Sequence, residues 1–134
     1  MQYEQDYIMR LIKQVIRALI GTLLNKRTTE IYEMPANQIQ RSGDDLLSRL
    51  LLLADAGKIC EAENRLWEGL TKETPEAFLM ALEFYDHING YDNNFLEQHD
   101  FSRDEIRQAV KEIADRMGHG AVVAALLMDS DEDQ

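Results

Sequence analysis

Residues 3–26 read YEQDYIMRLIKQVIRALIGTLLNK. Apolar residues fall at Ile8, Leu11, Ile12, Val15, Ile16, Leu19, Ile20, Leu23 and Leu24, in steps of three and four. That is the α-helical period, repeated turn after turn. The stripe is double, so the helix it predicts has a wide face to bury. Arg10, Lys13, Gln14 and Arg17 lie mostly off that face. Gly21 costs the helix about 1 kcal/mol relative to alanine.

The same period continues downstream. Ser42 is a candidate N-cap and Asp45 places a negative charge in the first turn of a second helix. That helix runs to about Ala56 and offers Leu46, Leu47, Leu50, Leu51 and Leu53 as its buried face. Gly57 breaks it. A third helix, about Lys58 to Thr71, carries Ile59, Ala62, Leu66, Trp67 and Leu70. Thr74-Pro75 is a cap followed by proline at the first helical position, which opens a fourth helix bearing Phe78, Leu79, Leu82, Tyr85 and Ile88. Ser102 and Glu105 have the spacing of a capping box and start a fifth, with Ile106, Val110, Ile113 and Met117 inward and Gly118 as its stop. Ala121 to Met128 is a candidate last helix. No segment sustains strand alternation. The predicted fold is all-α, with five or six helices: antiparallel hairpins plus a long N-terminal amphipathic helix.

Two stretches lack a period. Residues 28–43 contain Pro35 and read as a linker. Asn89 to Phe101, with one glycine, three asparagines and two aspartates, reads as a long loop. The expected organisation is one helical domain over residues 1–128, with 1–27 the long helix, 28–43 the linker and 44–128 the hairpins. Residues 129–134, DSDEDQ, are expected to be an acidic disordered tail.

The 134 residues are 45% apolar and 29% charged, a globular composition, and suffice for one domain. Fourteen basic residues stand against 25 acidic ones, a net charge of −11. That excludes a nucleic-acid-binding surface as the main function. The charge is split: residues 1–27 sum to +3 and residues 28–134 to −14. The single cysteine, Cys60, leaves no disulfide framework and no cysteine-based zinc site. Met1 to Tyr7 has two acids and no apolar run, unlike a secretory signal. No apolar run approaches the ~20 residues of a membrane span. A reduced cytoplasmic setting is expected.

The segment Leu46 to Pro75 resembles one tetratricopeptide-type (TPR-like) repeat. Gly57 sits at the turn, Ala62 and Gly69 at small sites and Leu66 at a large one; small residues let two helices approach while a large one fills the gap beside them. Arg49 and Leu50 depart from the repeat's first half, and Pro75 comes one place late. The chain as a whole resembles a small bacterial family of unknown function, whose members open with a segment like Tyr3-Glu4-Gln5-Asp6-Tyr7-Ile8-Met9-Arg10. That resemblance implies a compact helical domain and brings no activity with it.

Chemistry-bearing patterns are sparse. None of His87, His99 and His119 has a glutamate three residues before it, and there is no zinc-binding His-Glu-x-x-His. A calcium loop with Gly90 at its sixth position would need an acid or asparagine where Tyr85 stands. The weak metal candidates are Asp86, His87, Asp92 and His99, with Asn93 and Asp100 beside them; their spacing matches no ligand pattern, and a solvated loop is the simpler reading. Cys60, near a helix start, is either an activated thiolate or a small packing residue. Trp67 is either a binding anchor or helix-edge packing.

The expected function is therefore a non-catalytic helical interaction or scaffold module with no cofactor, binding a protein or peptide. It is expected to form a homodimer through Ile8, Ile12, Val15, Leu19 and Leu23, the stripe of the first helix. The alternatives are a metal-binding protein or enzyme using the 86–100 loop, and a peripheral membrane protein using residues 3–26.

Overall fold

The computed structural model describes residues 2–31, 44–121 and 123, and within them the side chains of 6–24, 46–121 and 123. Six helices occur among the described residues: α1 (Gln2–Ile31), α2 (Asp44–Asp55), α3 (Ile59–Gly69), α4 (Pro75–Asn89), α5 (Asn93–Gln98) and α6 (Arg103–Met117). There is no strand among them, so the all-α expectation with five or six helices holds. The remainder of the linker, the tail and most of the candidate last helix lie outside the described residues.

Helix ends follow the local chemistry. Thr74 accepts the Ala77 amide with Pro75 at the first position of α4. Ser102 and Glu105 form the reciprocal capping box of α6. α2 ends in a Schellman motif: the Lys58 amide reaches the Leu53 carbonyl and the Gly57 amide reaches that of Ala54. Gly57 takes φ +92°, a conformation that side-chain-bearing residues avoid. The same double bond pattern closes α6 at Gly118 and α5 at Asp100, which sits at φ +58°.

α4 is the centre of the bundle. It packs against α1, α6 and α2, while α3 lies on α2 and α1 also touches α6. Tyr85, Phe84, Leu82 and Ile88 of α4 are wholly buried. α2 and α3 turn back on each other across Gly57, so that Gly69 at the end of α3 lies beside Leu46 at the start of α2. An antiparallel hairpin is shared by many helical folds and does not by itself make a tetratricopeptide-type repeat.

The structure corrects several expectations. α1 continues to Ile31, past the expected linker start at 28, because no proline or glycine intervenes before Pro35. The expected loop from Asn89 to Phe101 contains α5, which is started by Asp92 accepting the Phe95 amide and anchored by buried Leu96. Of the five leucines expected inside from α2, Leu50 alone is fully buried, and Leu46, Leu47, Leu51 and Leu53 are half-buried. α1 faces inward: Ile12, Val15, Leu19 and Leu23 belong to the monomer's own core, with Ile8 half-buried beside them. The stripe expected to form a dimer is covered by α4 and α6, whose apolar faces needed a wide partner.

The hairpin's two glycines differ. Ala62 and Leu66 are fully buried at the small and large sites. A methyl added at Gly69 would meet Leu46 and Met80 at 3.8 and 3.9 Å, ordinary contact distances. Close packing does not require glycine there. Gly69→Ala is expected to stabilise the protein by about 0.5 kcal/mol through helix propensity, less than mid-helix because it is the last residue of α3. A thermal melt checks this; a loss above 1 kcal/mol would show that the gap is closed.

Candidate functional site

One end of the bundle gathers the start of α1, the α2–α3 turn, the end of α4, α5 and the start of α6. Arg103 organises it. It is the first residue of α6, and a helical side chain leans back toward its own N-terminus, here toward the end of α4. Its Nη1 donates to the Asn89 backbone oxygen and to Asn89 Oδ1 at 3.2 Å. Its Nη2 donates to the Tyr91 carbonyl at 2.9 Å and to Asn93 Oδ1 at 2.8 Å. The guanidinium thus meets the negative pole of α4, where terminal carbonyls lack helical partners. Arg103 is 4% exposed, and burial pulls its pKa down against the pull of Asp6 and Asp92. Asn89, equally buried, donates its side-chain amide to the Met9 carbonyl at 2.9 Å and ties α1 to the same knot.

Outside this knot lies a cavity of about 740 Å³. α1 contributes Asp6 and Met9, the α4–α5 connection contributes Asp92, α5 contributes Leu96 and Glu97, the α5–α6 connection contributes Phe101, and the start of α6 contributes Asp104. Four carboxylates therefore line it. Arg103 is its only lining cation among the described residues, and that charge is turned into carbonyls. Asp92 is occupied as the α5 cap, and Asp104 pairs with Arg107.

The sequence-derived metal candidates do not converge. The rings of His87, Tyr91, Phe95 and His99 form a ladder, with successive centroids 5.5, 4.5 and 4.6 Å apart. The two imidazoles stand at opposite ends of it. His87 Nε2 lies 2.8 Å from Asp55 Oδ1, which also accepts from the Tyr91 hydroxyl. His99 covers Gly57. Asp92 is a helix cap and Asp86 is half-buried on α4. Among the described residues no group of three or more histidine, cysteine or carboxylate side chains is arranged to hold a metal ion. Asp55, Tyr91 and Arg103 were not singled out from sequence. The four-residue spacing of the rings at 87, 91, 95 and 99 is the signal that marks the ladder.

Electrostatics agree with these partnerships. The hydrogen bonds from Tyr91 and then His87 hold the Asp55 carboxyl below its ordinary 3.8. Its share of stability is present above that pH and is lost as pH falls through the lower folded value. The share is small, because the side chain is 51% exposed. Tyr91 is pushed up, first by burial and then by Asp55. Cys60 is exposed; what burial its sulfur has, followed by the charges of Glu63, Glu105 and Asp100, raises its thiol. That is the opposite of an activated thiolate. Trp67 is half-buried, donates to the Tyr85 hydroxyl at 2.8 Å and carries the Arg116 guanidinium 5.1 Å from its ring centre. It is helix-edge packing.

No helix among the described residues is long and apolar enough to cross a membrane. Neither a curated protein nor a solved structure matches the chain. A family model does match, over residues 2–118, a span that takes in the Asp6 and Met9 wall of the cavity, Arg103 and every helix from α2 to α6. The chain belongs to the family of unknown function that bears this description (DUF6483).

Proposed function

We propose that this chain is a non-catalytic helical interaction module whose protein partner docks a basic segment at the α1–α5–α6 end. One observation carries the reading: a 740 Å³ cavity lined by four carboxylates, with apolar wall at Met9, Leu96 and Phe101. A lysine or arginine side chain has the matching chemistry, an apolar stem and a cationic head. Charge complementarity of this kind steers and orders association more than it adds raw affinity. The metal or enzyme alternative draws no support from the 86–100 segment, where His87, Asp92 and His99 serve Asp55, α5 and Gly57. The membrane alternative, and the homodimer expected through the first helix, would need a stripe whose Ile12, Val15, Leu19 and Leu23 lie in the core.

A hexa-arginine peptide titrated calorimetrically at physiological salt tests the proposal. Binding is expected, and Asp6→Asn with Glu97→Gln is expected to weaken it at least about tenfold; these two carboxylates are chosen because Asp92 and Asp104 have structural duties. A control pair with the same charge change, Glu61→Gln with Glu68→Gln on α3, is expected to leave it within about twofold. No binding, or equal weakening by both pairs, would refute a docking site here.

A further inference from the structure

Arg65 on α3 and Arg107, Lys111 and Arg116 on α6 each have a carboxylate within ion-pair distance. α1 differs. Arg10, Lys13 and Arg17 are exposed and, spaced by three and four, share its solvent face. Among the described residues no side-chain hydrogen bond or ion pair engages any of the three, and Asp6, one turn before Arg10, does not pair with it. In a chain with 25 acids against 14 bases, a basic row with no acid in contact points to an acidic partner from elsewhere. Further along α1 the same face loses its charge. Ala18 is exposed, open space surrounds the place where a Cβ of residue 21 would stand, and Leu24 is 45% exposed. The face is thus basic from Arg10 to Arg17 and small or apolar from Ala18 to Leu24.

We propose that residues 124–133, AALLMDSDED, fold back along this face as a strap, the five apolar residues over Ala18, Gly21 and Leu24 and the four acids over Arg17, Lys13 and Arg10. The order of residues supports it. A chain that starts at the late end of α1 and runs back meets the apolar stretch before the bases, and 124–133 presents its apolar residues before its acids. The starting point is the right one. Asp6 and Met9 line the cavity together with Arg103 and Asp104, and α1 packs on α6. The end of α4 meets Met9 through Asn89, whereas the end of α6 meets the approach to α4 through Arg116 and Glu73, 3.6 Å apart. α1 and α6 therefore run in parallel, and Met117 stands about level with Leu23, since 103 to 117 and 9 to 23 are equal helical lengths. Val123 is still buried in the core. The reach is sufficient: the ten residues 124–133 extend to about 33 Å, and Leu23 to Arg10 is about 20 Å at 1.5 Å per residue. Charge agrees, because 124–133 holds no base. The strap closes the row to other anions and cancels a positive field that begins one turn from the acidic cavity. The contact does not depend on what that cavity takes.

Zero-length carbodiimide coupling of the intact protein at low salt tests the contact, because it joins an amine to a carboxylate only where the two touch. Lys13, the one lysine of the row, is expected to be joined to an acid of 129–133 within the monomer band, and about 1 M salt is expected to suppress the link by screening. No such link, a link to Lys58 or Lys72 beside α3 in its place, or a Lys13 link found only between two copies would overturn the strap. Binding of a hexaglutamate peptide gives a second readout. Asp129→Asn, Asp131→Asn, Glu132→Gln and Asp133→Asn together are expected to tighten it at least about tenfold over the parent, by opening a row that the strap keeps closed. Arg10→Gln with Arg17→Gln in that background is expected to reverse the gain. Equal binding by parent and neutralised chain, or a gain that survives the loss of both arginines, would show that the acids of 129–133 do not lie on α1.

Discussion

Arg103→Met is expected to destabilise the protein by about 3 kcal/mol, the largest loss of any single substitution away from the apolar core. Four acceptors surround the guanidinium, and two of them are backbone carbonyls that no compensating mutation can remove. Hydrogen bonds to a charged group contribute roughly 1.5–3 kcal/mol each, and a buried acceptor left without a donor costs roughly 1–3 kcal/mol. Two effects pull the other way. Burying a charge is itself expensive, and methionine avoids that expense. Water from the neighbouring cavity can also reach some of the exposed carbonyls. The balance still favours arginine, because apolar replacement of a buried charge is harmless only when its partners are replaced too. For a domain of this size about 3 kcal/mol lowers the melting temperature by on the order of 10 °C. Arg103→Lys is expected to recover less than half, since a single ammonium cannot span Asn89 and Asn93 as a planar fork does. Urea unfolding with an unchanged m-value is the measurement; a loss under 1 kcal/mol for Arg103→Met would show that Arg103 is not the knot that holds α1, α4 and α6 together.

Gly57→Ala is expected to cost about 2 kcal/mol, in two separable parts. The backbone at φ +92° disfavours any residue with a Cβ by roughly 1–2 kcal/mol. The added methyl would also run into the edge of the His99 ring, at Cε1 first and then at Nδ1, 2.8 Å away, and that ring packs on Phe95 with centroids 4.6 Å apart. The ring must shift to make room; overpacking costs roughly 1–3 kcal/mol, and because His99 is only half-buried the steric part is placed at the low end, about 1 kcal/mol. A double-mutant cycle divides the two. In a His99→Ala background the Gly57→Ala penalty is expected to fall to the backbone part alone. An unchanged penalty would mean that His99 moves aside freely and that the turn is governed by its Schellman geometry only.

The contrast between Gly57 and Gly69 shows how far residue identity reaches. Both glycines read from sequence as packing sites of one hairpin. Gly57 is required by a turn geometry that local hydrogen bonds define, and the break it makes in the helical period was visible. Gly69 turns out to border a gap wide enough for a methyl, a fact that depends on where Leu46 and Met80 come to rest.

The helices and most of their ends were determined by sequence alone, because they arise from contacts within a few residues. The three-to-four step of Ile12, Val15, Ile16 and Leu19, the Thr74-Pro75 start, the Ser102–Glu105 box and the Gly57 and Gly118 stops all act locally. α5 escaped notice because six residues are too few to display a period; it exists through one aspartate cap, buried Leu96 and the ring ladder. Tertiary structure alone decided what each apolar face meets. A double stripe on α1 states how much surface must be covered, and a second copy, a membrane or the rest of the chain would all satisfy it. The packing of α4 and α6 selected the last. Tertiary structure likewise decided that Arg103, a polar residue within a capping box, turns its charge inward onto the end of α4. Its four acceptors lie ten to fourteen positions earlier in the chain, a separation at which local patterns carry no information about direction.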